Sequence, residues 1–399
     1  MWCSLPISED ELRLLNENFS FVCNDINLPA MKKVLILGDV GSAHLSKWVL
    51  ALHGKYLEIA VFSLSAPAIE LKSLNSLTLY VHSIPKKKFS SSLVNKFGYL
   101  SALPHLRKFA EEFNPDIVHA HYASSYGLLG SMLGRHPFII SAWGSDVYSF
   151  GDTMVGRLIL RSNFRQADIV LSTSEVMKER VKKFTSKEII VTPFGVDTDV
   201  FYPGKVNSSF FSQGAFVFGM VKSMESIYAV DLVIRAFAEL KAELNTENIR
   251  LLLVGGGTKL EQYKMLCKDL GIADCVHFTD RIDHGSIPEH HRMIDVFLNP
   301  SHTESFGVSV LESMSCGKPV IVSNVGGLAE IVQNNANGLS ANVNDVHDLF
   351  FKMKLLFTNA AMRIRLGAAA RSSVMQHYSW NSSVDIMLRN VYGIDLNKN

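Results

Sequence analysis

Two glutamates separated by seven residues lie in the segment 299–330, NPSHTESFGVSVLESMSCGKPVIVSNVGGLAE. The apolar spacing of the segment Val308–Ser315 predicts a helix. Glu304 precedes this helix, and Glu312 lies inside it. Because Gly307 has no side chain, backbone N–H groups at the start of this helix can approach a phosphate closely, and the helix terminus adds partial positive charge. We therefore expect a nucleotide diphosphate at the helix start, with Glu312 bonded to ribose hydroxyls and Glu304 to hydroxyls beyond the phosphates.

Apolar strands alternate with helical segments along the chain, and this pattern runs twice. The first series contains VLILGD, IAVFSL, DIVHAHYA, FIISAWGSD, DIVLSTSE and IIVTPFGV, and the second contains FVFGMV, IRLLLVGGG, CVHFTDR, DVFLNPS and PVIVSN. Continuous apolar strands between helices indicate a parallel sheet that is covered on both faces. The sequence therefore predicts an α/β protein of two doubly wound, Rossmann-like domains, joined near residues 202–207.

The string that carries the two glutamates continues with Gly317, Lys318, Pro319 and Val320 and then with a Gly-Gly pair. The whole string resembles the donor-site signature of the retaining GT-B glycosyltransferases of family four, the glycosyl transferases group 1. The resemblance implies two Rossmann-like domains that face each other across a cleft. It divides the chain into an N-terminal extension (residues 1–30), an acceptor domain (31–203) and a nucleotide-sugar domain (204–374). Residues 375–399 are then expected to form a helix that crosses back to the acceptor domain.

The same resemblance assigns the donor site. It implies phosphate binding by Lys222, which replaces the usual arginine, and it places Tyr228 where a lysine is common. It also implies that backbone groups at Arg281 and Ile282 contact the nucleobase. The implied catalytic residues are His121, Glu304 and Lys222, and the implied donor-binding residues are Lys222, Tyr228, Arg281, Ile282, Glu304, Phe306, Gly307, Val308 and Glu312. The donor is expected to be a UDP- or GDP-linked sugar, with no separate cofactor and no metal.

Two histidines indicate an acceptor site in the first domain. His119 and His121 alternate along DIVHAHYA, so both point to one face of the sheet near the carboxyl end of the strand, where ligands of doubly wound sheets bind. One interpretation is a core histidine plus a surface histidine. In the family interpretation His121 lies against the transferred sugar and the acceptor. The resemblance implies acceptor binding by Gly41, His44, His121, Trp143 and Asp146.

Two further motifs have ordinary structural explanations. Asp197-Thr198-Asp199 forms the Asp-x-Asp pattern of metal-dependent sugar-nucleotide enzymes, but it falls in PFGVDTDVF, which matches the family's junction before the linker. No metal is therefore expected there.

The glycines Gly255–Gly257 follow a strand, where they serve either a turn or a close approach of the backbone to the donor. Both interpretations stay open.

The composition fits two domains and excludes several classes of protein. The 399 residues are 47% hydrophobic and 19% charged, which is enough to bury two cores. The formal net charge is +1, so we expect no nucleic-acid partner. The five cysteines form no CxxC pair, as is typical of reduced thiols in a cytoplasmic protein.

The charge distribution raises the question of membrane contact. Residues 31–200 carry 20 Lys and Arg against 14 Asp and Glu, whereas residues 205–374 carry 16 against 17. The basic half contains Lys86–Lys88, Phe89, Lys96 and Arg107–Lys108, which are either solvated or dock on anionic lipid. No apolar run approaches the ~20 residues needed to span a bilayer, and no signal-peptide pattern is present. We expect a cytoplasmic protein, with peripheral contact at the cytoplasmic face of a membrane as an open alternative.

These features predict a glycosyltransferase that moves a hexose-type sugar to a glycan, a lipid-linked acceptor or a small molecule. Two alternatives stay open. One is a catalytically weak sugar-nucleotide-binding module, which Tyr228 and Ala229 suggest because the family commonly has Lys-Gly there. The other is a GT-B epimerase, which would need additional acid–base carboxylates. In the acidic segment 1–30, the spacing of Ser8 and Glu11 predicts a short helix near 9–16.

Overall fold

The computed structural model describes residues 31–66, 77–82, 97–204, 206, 210–244 and 248–394. The short helix predicted near 9–16 lies outside these residues, and so do Lys86–Lys88, Phe89 and Lys96 of the basic segment. Most of the junction predicted at 202–207 is described, up to Gly204. The described residues form two parallel sheets, each covered by helices, as the alternating pattern predicts.

The first sheet has seven parallel strands in the order β3-β2-β1-β4-β5-β6-β7 within the described ranges. The order reverses between β1 and β4, and ligands of doubly wound sheets bind outside the carboxyl ends of the strands at such a switch point. The strands are β1 Lys32–Leu37, β2 Leu57–Ser63, β3 Thr78–Val81, β4 Ile117–His121, β5 Phe138–Ser141, β6 Ile169–Ser172 and β7 Ile189–Val191. The helices around them are α1 Ala43–Leu52, α2 Leu103–Phe113, α3 Ser125–Leu133, α4 Met154–Gln166 and α5 Glu175–Val181.

The second sheet has the order β10-β9-β8-β11-β12-β13 and reverses between β8 and β11. Its strands are β8 Phe216–Val221, β9 Ile249–Val254, β10 Val276–Phe278, β11 Val296–Asn299, β12 Val320–Ser323 and β13 Leu339–Ala341. The helices around them are α6 Val230–Leu244, α7 Leu260–Asp269, α8 Ile287–Met293, α9 Val308–Ser315, α10 Gly326–Ile331, α11 Val346–Thr358 and α12 Ala360–His377.

The end of the described chain packs on the first domain. After α12, the helix α13 spans Trp380–Ile386 and continues as a π-helical turn to Val391. The Trp380 ring lies 4.8 Å from the Trp48 ring of α1, measured between centroids. Lys32 Nζ donates to the Tyr392 carbonyl oxygen at 2.7 Å. The terminal segment therefore connects the second domain back to the first sheet.

Two strands and one helix boundary differ from the sequence prediction. The strands β3 and β13 were not predicted, because TLYV is only partly buried and LSA is three residues long. The sequence pattern predicts a helix that starts at Leu328, after the Gly-Gly pair, but α10 begins two residues earlier, at Gly326. Its two glycines are needed for contacts with the preceding loop that the local pattern does not show.

Candidate active site

Three side chains of the second domain meet at the carboxyl edge of its sheet. Lys222 follows β8 directly, and Glu304 lies in the loop after the neighbouring strand β11. Lys222 Nζ lies 2.5 Å from Glu304 Oε2, and the two side chains are 15% and 12% exposed. The ammonium also lies 4.6 Å from the centre of the Tyr228 ring, which is a cation–π distance. The structure therefore brings the predicted residues Lys222, Tyr228 and Glu304 together in one cluster.

Glycines allow the loop that carries Glu304 to pack against α10. A Cβ at Gly326 would lie 2.0 Å from the Glu304 carbonyl oxygen, and a Cβ at Gly327 would lie 2.5 Å from Phe306 Cα. The Gly327 N–H donates to that same carbonyl at 3.0 Å. The Gly-Gly pair of the signature thus positions Glu304 through backbone packing.

The start of α9 presents polar groups that have no partner among the described residues. Gly307 precedes the helix with a φ of 111°, a backbone conformation that favours glycine. No described acceptor takes the N–H of Val308 or of Ser309, and Ser309 Oγ is buried without a hydrogen bond. Free N–H groups at a helix start form a ready anion site. Ser309 carries no distinctive sequence signal and was not predicted.

The Phe306 side chain belongs to the core. Its ring centroid lies 6.2 Å from that of Phe194 and 6.0 Å from that of Tyr378, and the residue is buried. The predicted contribution of Phe306 to donor binding is therefore restricted to its backbone.

Glu312 lies one turn into α9, and its carboxylate is almost fully buried. Its Oε2 lies 3.4 Å from Nε2 of His291 in α8, and that nitrogen makes no hydrogen bond within the described part of the chain. Burial alone would raise the pKa of Glu312, but the neighbouring His291, Lys47 and His284 lower it overall. The carboxylate is therefore ionised at neutral pH and can accept hydrogen bonds. Nothing in the sequence singles out His291 or Lys47.

The predicted nucleobase contacts lie in the loop after β10. The Arg281 N–H donates to Asp280 Oδ1 at 2.7 Å, so this group is already bonded. The Ile282 N–H has no acceptor among the described residues. A base contact would therefore use the Arg281 carbonyl and the Ile282 backbone, and the predicted contact with the nucleobase stays a prediction.

The glycines after β9 allow close packing beside the loop that follows β8. A Cβ at Gly255 would lie 2.2 Å from the Lys222 carbonyl oxygen, and a Cβ at Gly257 would lie 2.5 Å from that of Met224. This close approach is to the loop that begins at Lys222, so the two interpretations, a turn and a close approach to the donor, both stay open.

His121 lies at the carboxyl end of β4 in the first domain and is 1% exposed. Neither ring nitrogen has a hydrogen-bond partner in the described structure, and burial lowers the pKa of His121 to about 3. The ring is therefore neutral. His119 stacks on it, with centroids 4.1 Å apart, so the prediction that both share one face is confirmed. His119 also bonds to Tyr392 Oη at 2.7 Å and Ser141 Oγ at 2.8 Å. The interpretation with one surface histidine is wrong, because both are buried.

Aromatic rings surround His121. Trp143 meets it edge to face, with centroids 5.2 Å apart. His44, at the start of α1, stacks on Phe194 at 4.7 Å and lies 6.2 Å from Trp143. Gly41 lies in the exposed turn before α1, where its N–H donates to Asp39 Oδ1 at 2.8 Å. The predicted residues His44, His121 and Trp143 thus form one cluster.

Asp146 requires a correction. Its Oδ2 accepts from the Ala123 N–H at 2.6 Å, and its Oδ1 accepts from the Gly144 and Trp143 N–H groups at 2.8 and 3.1 Å. The residue is fully buried, and burial raises the pKa of this carboxyl. Asp146 therefore holds the Trp143 loop in place, and the predicted direct contact with an acceptor is wrong.

The two domains contact each other beside the Lys222 cluster. Ser174 Oγ donates to the Ser305 carbonyl at 3.0 Å, and the Val176 N–H donates to Glu330 Oε2 at 3.2 Å. A Cβ at Gly144 would lie 2.8 Å from Ser305 Oγ. The loop that carries Glu304 is therefore held directly against the Trp143 loop of the first domain.

The Asp-x-Asp motif serves a turn. Asp197 Oδ1 accepts from the Asp199 and Val200 N–H groups at 3.0 and 3.2 Å, the geometry of an Asx turn. Among the described residues, no group of three or more His, Cys, Asp or Glu is placed to hold a metal ion. The described helices include none that is long and apolar enough to cross a membrane.

Comparisons with known proteins define the class. Residues 205–373 match the family described as "Glycosyl transferases group 1", and residues 33–174 match "Glycosyl transferase 4-like". A D-inositol 3-phosphate glycosyltransferase of Stackebrandtia nassauensis is 34% identical over 229 residues, which are 54% of this chain and 51% of the relative. The N-acetyl-α-D-glucosaminyl L-malate synthase of Bacillus anthracis is 25% identical over 311 residues, 75% of this chain and 80% of the relative.

The fold comparison agrees with the family matches. The Anabaena protein HepE, solved in complex with UDP-glucose, superposes with a TM-score of 0.73 at 16% identity, covering 91% of this chain and 100% of HepE. The two facing domains are thus of the GT-B type. The family matches and the named relatives show that the protein is a glycosyltransferase. The chain belongs to the glycosyl transferases group 1.

Proposed function

We propose that this enzyme is a retaining glycosyltransferase that moves a hexose-type sugar from a UDP- or GDP-linked donor to a glycan, lipid-linked or small-molecule acceptor. The observation that carries the proposal is the Lys222–Glu304 pair at the sheet edge. Its Glu304 precedes the free N–H groups of Val308 and Ser309 closely in sequence. HepE was solved with UDP-glucose, which supports a nucleotide-sugar donor.

Departure of the diphosphate is the step that needs the most stabilisation. The Lys222 ammonium, the N–H groups at the start of α9 and the helix dipole supply positive charge where the leaving group develops negative charge. The Tyr228 ring below the ammonium limits its positions. A diphosphate that takes over the hydrogen bonds of Lys222 would release Glu304 to bond the sugar hydroxyls. Glu312, which is ionised, would hold the ribose.

Retention follows if the acceptor attacks from the face that the phosphate leaves. The acceptor oxygen then forms a bond to the anomeric carbon, the bond from that carbon to the phosphate oxygen breaks, and the acceptor proton passes to the departing phosphate. No protein nucleophile is required. Because His121 is neutral and both of its nitrogens are free, its role is to position sugar or acceptor by hydrogen bonding.

The test combines donor titration with product analysis. UDP, GDP and a panel of their sugar conjugates are titrated calorimetrically, release of nucleoside diphosphate is followed with mixed acceptors, and the anomeric configuration of the product is read by NMR. We expect one base to bind, with turnover and retained configuration. An inverted product would contradict retention, whereas donor binding without turnover on any acceptor would favour the weak binding module.

A specific surface also favours peripheral contact with an anionic membrane. On α4 the side chains of Met154 and Leu158 are 81% and 62% exposed, and the spacing places exposed Arg161 on the same face. Apolar side chains beside arginines are typical of helices that lie at a lipid interface. The basic segment of the first domain was expected to be either solvated or docked on anionic lipid. Of its residues, only Arg107–Lys108 lies in the described part of the chain, where it is exposed on α2.

Flotation with vesicles tests this surface. We expect wild-type protein to float with vesicles that contain anionic lipid, and Leu158→Ser to reduce the bound fraction at least threefold. Ile364→Ser is the matched control, because Ile364 is 74% exposed on α12 of the other domain. Equal flotation of both variants and wild type would remove the membrane proposal.

A further inference from the structure

A cavity of about 330 Å³ opens in the first domain beside His121. Its walls include Asp39, Ser42, Tyr99, His121, Tyr122 and Trp143, and the remaining lining residues are serines and a tyrosine. A smaller cavity of about 140 Å³ shares Tyr99 and Tyr122. The main cavity falls at the lower end of the volumes of small-molecule sites, ~300–1,000 Å³. It lies at the carboxyl edge of the sheet, where β1 and β4 meet at the switch point.

His121, one of the residues that line this cavity, has two unsatisfied ring nitrogens. Both ring nitrogens of His121 are buried without a hydrogen-bond partner in the described structure, and a neutral imidazole offers one donor and one acceptor. Buried polar groups are normally paired, so the free pair indicates a ligand. A sugar hydroxyl both donates and accepts, and therefore matches this ring.

The backbone at the cavity is strained. Tyr122 has a φ of 89°, which is rare for a residue other than glycine and clusters at ligand sites. Its hydroxyl and Ser145 Oγ lie 2.7 Å apart, which fixes the ring as part of the wall. The Tyr122 ring is therefore a fixed part of the cavity lining.

The described lining residues carry one formal charge, which is negative. Asp39 is the charged side chain among the described lining residues, and no described lysine or arginine lines the cavity. Asp39 Oδ1 accepts from the Gly41 N–H, while no described donor reaches its Oδ2. A phosphate or carboxylate in this cavity would meet an uncompensated carboxylate and lose affinity through like-charge repulsion. A hydroxyl would instead donate to Asp39.

We propose that this cavity binds an uncharged saccharide as the acceptor and disfavours phosphorylated or carboxylated acceptors. Asp39 and His121 bond its hydroxyls, and the Tyr122 and Trp143 rings cover its apolar faces. This selection rests on the proposed function, since an acceptor is meaningful only for a working transferase. A preference for uncharged acceptors would distinguish this chain from the two relatives that are named for anionic compounds, D-inositol 3-phosphate and L-malate.

The experiment measures acceptor kcat/KM in matched pairs, with the donor that binds best. Each pair joins a neutral polyol to its own phosphate: glucose with glucose 6-phosphate, N-acetylglucosamine with its 6-phosphate, and inositol with D-inositol 3-phosphate. We expect a neutral member to exceed its partner at least about tenfold, the cost of roughly one unfavourable charge contact. Preference for a phosphorylated member, or failure of every neutral sugar to act as acceptor while the donor binds, would overturn the inference.

Asp39→Asn sharpens the test, because asparagine keeps the acceptor atom for the Gly41 N–H and removes the charge. We expect Asp39→Asn to raise the KM of the neutral acceptor. We also expect it to reduce the ratio of kcat/KM between the neutral acceptor and its phosphate, with the donor KM within twofold of wild type. Glu111→Gln, an exposed carboxylate on α2, is the matched control. Unchanged discrimination in Asp39→Asn would count against the proposal. If no sugar nucleotide binds the wild type, the proposed function fails first, which is a separate result.

Discussion

The two walls of the cleft use different chemistry. The wall of the second domain combines a lysine paired with a glutamate, free N–H groups at a helix start and a buried glutamate. The wall of the first domain consists of aromatic rings, hydroxyls, a neutral histidine and one carboxylate. The first arrangement suits an anion that departs with charge, and the second suits a neutral polyol. The difference teaches how each proposed ligand fits its domain: the cationic wall of the second domain suits the charged donor, and the wall of the first domain suits an uncharged acceptor.

The largest expected effect comes from removing the Lys222 ammonium from the wall of the second domain. Lys222→Ala should lower kcat about 10²–10³-fold, as loss of one preorganised charge-stabilising donor does. Initial rates of nucleotide release measure it. Lys108→Ala is the control, since Lys108 is exposed and makes only a surface ion pair with Glu112. A change in kcat below threefold would show that the leaving group is stabilised elsewhere.

The two glutamates of that wall should separate kinetically. Glu312→Gln should raise the donor KM about tenfold with kcat little changed, because a ribose contact contributes equally in the ground and transition states. Glu304→Gln should instead lower kcat, since its contact with the sugar matters most as the sugar reacts. Steady-state kinetics with varied donor separates the two, and identical small effects would refute both assignments.

The first wall should respond to acid through its buried histidines. The pKa of His121 is lowered to about 3, so below pH ~6.5 the unfolded state binds a proton that the folded state does not. The contribution of the neutral His121 ring to the free energy of unfolding is therefore fully present above pH ~6.5. It is lost as the pH is lowered toward 3, by up to ~1.4 kcal/mol per pH unit.

His121→Asn should reduce that loss. Thermal unfolding at pH 7.5 and pH 5 measures it, with His377→Asn as the control because His377 is exposed on α12. If the variant and the wild type lose equal stability between the two pH values, His121 is not buried as a neutral ring.

The smallest effect concerns the link from the chain's end to the first wall. Tyr392→Phe removes the hydroxyl that bonds to His119, leaving a buried ring nitrogen unpaired, at a cost of ~1–3 kcal/mol. Chemical denaturation measures the free energy of unfolding. Tyr202→Phe, on an exposed tyrosine, should change it by less than ~0.5 kcal/mol; equal effects would show that the Tyr392 bond contributes nothing.

How much the sequence predicts also differs between the walls. The second wall comes mostly from one continuous segment, so Glu304, Gly307 and Glu312 were recognised from local spacing. Its Gly-Gly pair has a reason that only the structure shows, the contact with the Glu304 carbonyl. His291 and Lys47 were missed, because their interactions with Glu312 depend on packing and carry no local pattern. Ser309 lies inside the segment but carries no distinctive signal.

The first wall is assembled from separate loops, and there prediction from the sequence was weaker. Asp146 was assigned to the acceptor, but its oxygens are taken by backbone N–H groups from Ala123, Trp143 and Gly144. Asp39 was overlooked, since an aspartate after a strand is ordinary until Tyr99 and Tyr122 are placed around it. The alternation of strands and helices, in contrast, predicted both sheets, because a buried parallel strand needs a continuous apolar run.

The most direct test of the central claim is a crystal structure of the enzyme with UDP or GDP, whichever binds. The claim predicts diphosphate oxygens within about 3 Å of Lys222 Nζ and of the Val308 or Ser309 N–H, with Glu312 on the ribose. A diphosphate bound elsewhere, with the Lys222–Glu304 pair intact and the start of α9 uncontacted, would contradict it.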